Sequence, residues 1–218
     1  MKRSLAGILT LAVLVPLAAG CGLNKAAKGA LIGAGAGGAV GAAIGKATGS
    51  TVRGAIIGAA VGGVAGAVIG HQMDKQAEEL AYQLPGAVVQ RVGEGITVTF
   101  PDGLLFAFDS DQVMPAAREN LRQFATSLRK YSNTRTFIVG HTDADGSAEY
   151  NRALSERRAL AAASFIANEG VDRARISTAG RGETEPIATN ASDDGRRLNR
   201  RVEIAIYADE AARSGSGN

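Results

Sequence analysis

The chain has 218 residues, a formal net charge of +3, 29 glycines, one cysteine and no tryptophan. This length allows one ordinary domain with extensions, or two small domains. A single cysteine excludes an internal disulfide framework and a multi-thiolate metal site. Residues 82–207 contain 16 Lys and Arg against 16 Asp and Glu, and no aromatic residues interleave with the basic ones. We therefore expect no nucleic-acid partner, no metal and no cofactor.

Residues 1–20 have the pattern of a secretory signal peptide. Lys2 and Arg3 precede the apolar run Leu5–Ala19, and small residues lead into Cys21. The run is too short for a convincing membrane-spanning helix. The alternative to a lipoprotein signal is an ordinary cleaved signal followed by a chance cysteine.

The segment before Cys21, Leu-Ala-Ala-Gly, resembles a bacterial lipobox. The resemblance implies that Cys21 becomes the lipidated first residue of the mature protein. Several buried acyl chains would hold it stably in a membrane. Gly22 after the cysteine implies sorting to the outer membrane, with the rest of the chain in the periplasm.

Residues 29–45 and 54–70 form a repeat in which glycine recurs at every fourth position. A helix with this period carries its glycines on one stripe. Each interior glycine costs about 1 kcal/mol relative to alanine in a solvated helix, so the pattern favours close helix packing in apolar surroundings. The candidate packing residues are Gly29, Gly33, Gly37, Gly41, Gly45, Gly54, Gly58, Gly62, Gly66 and Gly70.

Three structures are compatible with the glycine repeat. We favour a membrane-inserted or self-associating helical hairpin over 29–75, with a polar bend at 46–53 and a possible homo-oligomer. A soluble helical pair packed on a partner is the second alternative, and a flexible Gly/Ala linker is the third. The strict period argues against a linker, which has no reason to keep glycines in phase.

Residues 82–207 read as a globular α/β domain. Alternating strands and helices predict an α/β (α+β) two-layer sandwich. We expect the leading strands around a turn at 93–95, a helix opening at Pro115, and a second helix with Tyr150, Leu154, Ala161 and Phe165 on its core side. The expected elements are strands Val88–Arg91, Ile96–Phe100, Leu104–Phe108, Thr136–Gly140 and Ile176–Gly180, helix Ala148–Asn168, and a last strand through Val202, Ile204 and Ile206.

The densest polar pattern lies in residues 140–159 and 195–204. Asp143 follows a buried strand, the usual place for a site in such folds. Asn151, Ser155 and Arg158 are spaced to share one helix face. A carboxylate and a guanidinium facing one pocket suit a ligand end that carries both an ammonium and a carboxylate.

These residues are similar to the OmpA-like peptidoglycan-binding domain over about 104–207. With the lipobox and the glycine repeat, the chain resembles an outer-membrane glycine-zipper lipoprotein of that family. The matching positions are Gly140, Thr142, Asp143, Gly146, Asn151, Leu154, Ser155, Arg158, Ala159, Gly180, Gly182, Glu183, Gly195, Arg196, Asn199, Arg200, Arg201 and Val202.

The resemblance implies an OmpA C-terminal-like fold that binds the meso-diaminopimelate of the peptidoglycan stem peptide non-covalently. Asp143 and Arg158 match the two positions that grip its zwitterionic end. Supporting contacts carried over from the family are Thr142, Asn151 and Arg201, together with Asp109, which we prefer to Asp111. The expected role is a tether between outer-membrane lipid and peptidoglycan.

Two other classes of function stay open. A wall hydrolase could use His141, Asp143 and Ser155, or the carboxylates of Asp143 and Glu183, but no nucleophile elbow surrounds Ser155. A structural lipoprotein could assemble through its glycine zippers, with the C-terminal domain as passenger. The expected organisation is a signal peptide at 1–20, a lipidated segment at 21–28, zippers at 29–75, a linker and hairpin at 76–103, the binding domain at 104–207 and a disordered tail at 208–218.

Overall fold

The computed structural model describes residues 49–61, 67–101 and 103–210. The predicted signal peptide, Cys21, the first glycine repeat and the predicted disordered tail beyond residue 210 lie outside the described residues, as do Gly62 and Gly66. In chain order the elements are α1 (Thr51–Val61), α2 (Ala67–Gln83), β1 (Val88–Val92), β2 (Gly95–Pro101), α3 (Ala117–Lys130), β3 (Thr134–His141), α4 (Ala148–Asn168), a 3₁₀ turn (Arg173–Arg175), β4 (Ile176–Gly180), α5 (Asp193–Asn199) and β5 (Arg201–Ala208).

The five strands form one sheet in the order β1-β2-β5-β3-β4. β3 and β4 are parallel, and the other neighbouring pairs are antiparallel. Because side chains alternate across a strand, Val202, Ile204 and Ile206 of β5 all face the main core. That core lies between this face and helices α2, α3 and α4, so the predicted two-layer sandwich is confirmed.

Helix α4 matches its predicted bounds because both of its ends are encoded locally. Ser147 caps the first turn by accepting a hydrogen bond from the Tyr150 amide. Gly170, with φ +91°, follows the last turn. Ala159, Ala162 and Ala163 are fully buried, which lets the helix lie close to the sheet.

Tyr150 was wrongly assigned to the core side of α4, since it is 43% exposed. Its hydroxyl reaches outward to a carboxylate on the loop before α3. Leu154 is buried as expected. Ala161 and Phe165 are only partly buried against the core.

Three other segments differ from the sequence-based expectation. The predicted strand Leu104–Phe108 is a loop with a single bridge between Phe106 and Val113. In this loop the Ala107 carbonyl accepts from Arg158 and from the Ser110 amide rather than from a neighbouring strand. Residues 76–83, expected in a linker, are helical and place Leu80 in the core. α5, capped by Ser192, was not predicted.

Helix α1 lies on the opposite face of the sheet from the other long helices. Its Val52 and Ile56 form a separate hydrophobic cluster with Val139 and Ala205. Burial of two such side chains contributes about 1.5–3 kcal/mol each. The beginning of the second glycine repeat is therefore docked on the domain of the same chain.

The glycines of the second repeat do not all behave alike. Gly54 and Gly58 are buried. Gly70 was proposed as a packing glycine, but a Cβ added there would meet no atom within 4 Å. Close backbone approach therefore does not explain Gly70. Within the ranges described, none of the helices combines the length and apolarity that crossing a bilayer requires.

Candidate functional site

Asp143 lies just beyond the end of β3, as the sequence predicts, and is 4% exposed. One carboxylate oxygen accepts a hydrogen bond from the Asp145 amide at 3.2 Å. The other pairs with the Arg200 guanidinium at 2.5 Å. A carboxylate has about four lone-pair sites, so these two partners leave acceptor capacity on Asp143.

Arg158 lies on α4 and is 5% exposed. Its Nε donates to the carbonyl of Ser110 at 2.8 Å, and its Nη2 donates to that of Ala107 at 3.3 Å. The guanidinium carbon also lies 5.7 Å from the centre of the Phe106 ring. These contacts place the clamp loop, residues 104–114, around the guanidinium.

The clamp loop is attached to α4 by two other side chains. Tyr150 donates to a carboxylate oxygen of Asp109, and Arg157 pairs with Asp111 at 2.7 Å. The hydrogen bond to Asp109 raises the pKa of Tyr150 above its usual value. Asp109 has φ 54°, a left-handed conformation rare for residues other than glycine. The loop is therefore held in a specific turn beside Arg158.

Arg200 connects the two residues that the sequence placed in one pocket. It pairs with Asp143 and lines the same cavity as Arg158. It also lies 5.9 Å from the centre of the Phe108 ring, and Phe108 is 77% exposed. From the sequence, Arg201 was predicted as a supporting contact, whereas Arg200 was named among the positions that match the family without a ligand contact. Arg200 lies directly before the first residue of β5.

The cavity that Arg158 and Arg200 line has a volume of about 20 Å³, room for about one water molecule. Asp143 is not among its lining residues and is connected to it through Arg200. Arg158 and Arg200 supply positive charge, and the apolar walls include Phe100, Leu105 and Phe106. This combination suits a carboxylate on an aliphatic stem.

The predicted supporting residues fall into two groups. The hydroxyl of Thr142 is buried and has no hydrogen-bond partner within the described residues, so it remains a candidate donor to a ligand. Asn151 is 2% exposed and donates a hydrogen bond to Glu183 at 2.7 Å. This bond links α4 to the loop after β4. Asp109 is exposed and engaged by Tyr150.

Arg201 lines the cavity, but its guanidinium is committed to the protein. It donates to Glu203 at 2.6 Å and to the carbonyls of Asn199 and Glu185 at 3.1 and 3.0 Å. It is 4% exposed. The structure thus supports a structural role for Arg201.

The residues of a hydrolytic triad are not brought together. Ser155 is fully buried, donates to the Arg152 carbonyl and accepts from the Gly182 amide. His141 has the strand parity of Val139, which faces α1. Burial, followed by the positive charges of Arg201 and Arg181, lowers the pKa of His141 well below its usual range. The histidine is therefore neutral and lies on the other side of the sheet.

Family comparisons agree with this geometry. Residues 105–200 match the model of the OmpA family, and residues 1–74 match the YMGG-like Gly-zipper model. Residues 105–200 therefore form an OmpA-like domain. The matched region contains the clamp loop from residue 105 onward, Asp143, Arg158 and Arg200.

Relatives of the chain include a probable lipoprotein and a peptidoglycan-binding protein. The probable lipoprotein YiaD of Escherichia coli is 37% identical over 136 residues, which are 62% of each chain. The peptidoglycan-binding protein ArfA of Mycobacterium tuberculosis is 39% identical over 103 residues, which are 47% of this chain and 32% of ArfA. The chain thus spans less than two thirds of the length of either relative.

A solved structure extends the comparison to the fold. The cell wall anchor of the type VI secretion system (T6SS) from Pseudomonas aeruginosa is 33% identical and has a TM-score of 0.54. The match covers 63% of this chain and 97% of that structure. The OmpA-family domain therefore has nearly the whole fold of that anchor.

Proposed function

We propose that this protein is a non-covalent tether between the outer membrane and peptidoglycan. The observation that carries the proposal is the position of Arg200, which pairs with Asp143 and lines one cavity with Arg158. A carboxylate and two guanidiniums at one end of the sheet match the charges of a diaminopimelate side chain, which carries one ammonium and one carboxylate at its free end.

Binding proceeds by exchange of ion pairs. The ligand ammonium takes the place of the Arg200 guanidinium on Asp143, and the released Arg200 joins Arg158 on the ligand carboxylate. Asp143 and Arg200 each keep an opposite charge as a partner throughout, which avoids the large cost of an unpaired buried charge. The cavity is too small for the ligand in its present form, so movement of Arg200 also opens the site.

The comparisons support the wall-binding end of the tether. ArfA is named a peptidoglycan-binding protein, and the solved T6SS structure is a cell wall anchor. The OmpA-family match spans the residues that would contact the ligand. Non-catalytic binding also agrees with the buried hydroxyl of Ser155 and the engaged carboxylates of Asp143 and Glu183.

The proposed membrane anchor is supported by the sequence around Cys21. The lipobox-like segment precedes the chain's one cysteine. YiaD, which aligns with 62% of this chain, is named a probable lipoprotein. Lipid on Cys21 would place the OmpA-family domain in the periplasm, on a segment that contains the glycine repeat. Self-association through that repeat is a second, compatible activity.

Retention on purified peptidoglycan sacculi tests the wall-binding function. We expect the protein to be retained and to be released by a soluble stem peptide that contains diaminopimelate. The same peptide with lysine keeps the ammonium but lacks the side-chain carboxylate, so it should compete about 10- to 100-fold less well, as expected for one lost charge-assisted interaction. Equal competition by both peptides contradicts the assigned site. Release of soluble muropeptides from the sacculi would indicate a hydrolase instead.

Metabolic labelling with palmitate tests the anchor. We expect the label in the wild-type protein and its loss in Cys21→Ser, because a hydroxyl cannot form the thioether that holds the lipid. The variant should leave the outer membrane fraction while its domain still binds sacculi. Label that persists in Cys21→Ser would disprove the anchor without affecting the wall-binding proposal.

A further inference from the structure

Helix α1 contacts the domain through a cluster that is separate from the main core. Val52 and Ile56 are at most 1% exposed and pack on Val139 and Ala205, with Phe137 and Tyr207 at the edge. The sheet separates this cluster from the core formed with α2, α3 and α4. Loss of α1 would therefore expose one sheet face and leave the main core intact.

The helix is weak without the sheet. It has 11 residues, and isolated helices shorter than about 12–15 residues are marginal in water. Gly54 and Gly58 lower its propensity further. Its helical state therefore depends on docking, and undocking in water is coupled to unwinding.

A polar latch fastens the N-terminal end of α1 to the loop after β4. The Thr51 amide donates to a carboxylate oxygen of Glu185 at 3.0 Å, and the Thr51 hydroxyl contacts the other oxygen. Arg181 donates from Nε to the Thr51 hydroxyl at 2.7 Å and pairs with Glu185 at 3.3 Å. A carboxylate at a helix N-terminus also stabilises the helix dipole.

We propose that α1 is a releasable strap that lengthens the tether under tension. The inference rests on the proposed tether, since the membrane anchor lies on the N-terminal side of α1 and the wall site lies in the domain. Tension then reaches the Thr51 latch first and peels the helix turn by turn. α2 stays in place because Met73 and Leu80 are fully buried in the main core.

The extension gained when α1 is released can be calculated. The 11-residue helix is about 16 Å long at a rise of 1.5 Å per residue. Fully extended, the same residues span at most about 38 Å. Unwinding α1 alone thus adds about 20 Å to the tether while the ligand site stays folded.

Single-molecule force spectroscopy on the full mature, unlipidated chain tests the strap. One handle is attached to the Cys21 thiol and the other to a C-terminal tag. We expect a reversible low-force transition with a contour-length gain of about 20 Å or more, followed by unfolding of the domain. A single cooperative transition in the wild type would overturn the proposal.

Variants assign the low-force transition to α1. Ile56→Asp should remove it and leave the domain-unfolding force unchanged, and Ile56→Ala should shorten the docked lifetime at constant force by at least about tenfold. Arg53→Ala, on the exposed side of the same helix, should leave both transitions as in the wild type. A lower domain-unfolding force in Ile56→Asp would show that α1 is integral to the fold. Neither lipid nor peptidoglycan takes part, so failure here is distinct from failure of the tether.

Discussion

Replacing Arg158 by alanine is expected to weaken retention on sacculi by about 30-fold or more. The variant removes the donors proposed for the ligand carboxylate, and a charge-assisted contact of this kind contributes about 1.5–3 kcal/mol. It also leaves the carbonyls of Ala107 and Ser110 without their arginine partner, which loosens the clamp loop. Binding isotherms on sacculi, with the melting temperature measured in parallel, give both effects.

Two further variants separate the ligand contact from the structural one. Arg158→Lys keeps the charge but loses the planar fork, so we expect intermediate retention. Arg152→Ala is the matched control, because Arg152 lies on the same helix, is half exposed and pairs only locally with Glu156. If Arg158→Ala is retained on sacculi like the wild type and its melting temperature is unchanged, Arg158 does not belong to the ligand site.

Gly140→Ala is expected to destabilise the domain by at least about 3 kcal/mol. A Cβ at Gly140 would lie 2.2 Å from the Ser155 carbonyl oxygen, a backbone atom that can move only if α4 moves. Overpacking against an immovable neighbour costs about 1–3 kcal/mol or more. For a domain of this size the melting temperature should fall by roughly 10 °C or more, as measured by calorimetry.

Gly70→Ala is the matched control for this substitution. Gly70 lies in α2 with no atom within 4 Å of an added Cβ. Alanine there should stabilise the helix by up to about 1 kcal/mol. If Gly140→Ala lowers the free energy of unfolding and Gly70→Ala raises it, the loss of stability at Gly140 comes from contact with α4. The loss of glycine's backbone freedom would not produce opposite effects. A Gly140→Ala protein as stable as the wild type would contradict the close approach of α4.

Local patterns in the sequence were sufficient for much of the fold. Gly170 marked the end of α4, and alternation placed Val202, Ile204 and Ile206 in the core. The strand end before Asp143 and the shared helix face of Asn151, Ser155 and Arg158 were also predicted. All of these features depend on residues a few positions apart, which set helical periodicity, strand alternation and capping.

Other features depend on contacts between distant parts of the chain. Residues 104–108 of the clamp loop were predicted as a strand, whereas the loop is held by contacts with distant residues such as Arg158, which lies 48 positions beyond Ser110. The pairing of Arg200 with Asp143 could not be read from the sequence, because the two residues are 57 positions apart. The docking of α1 depends on Thr51 and Glu185, which are 134 residues apart.

The sequence by itself determined the α/β domain, its central helix and the two charged residues at one end of the sheet. Only the tertiary structure decided which guanidinium joins that pair, which loop encloses it and where the glycine-rich helix lies. The physical reason is that periodicity and capping are properties of neighbouring residues. Ion pairing and docking depend on which surfaces the completed sheet brings together.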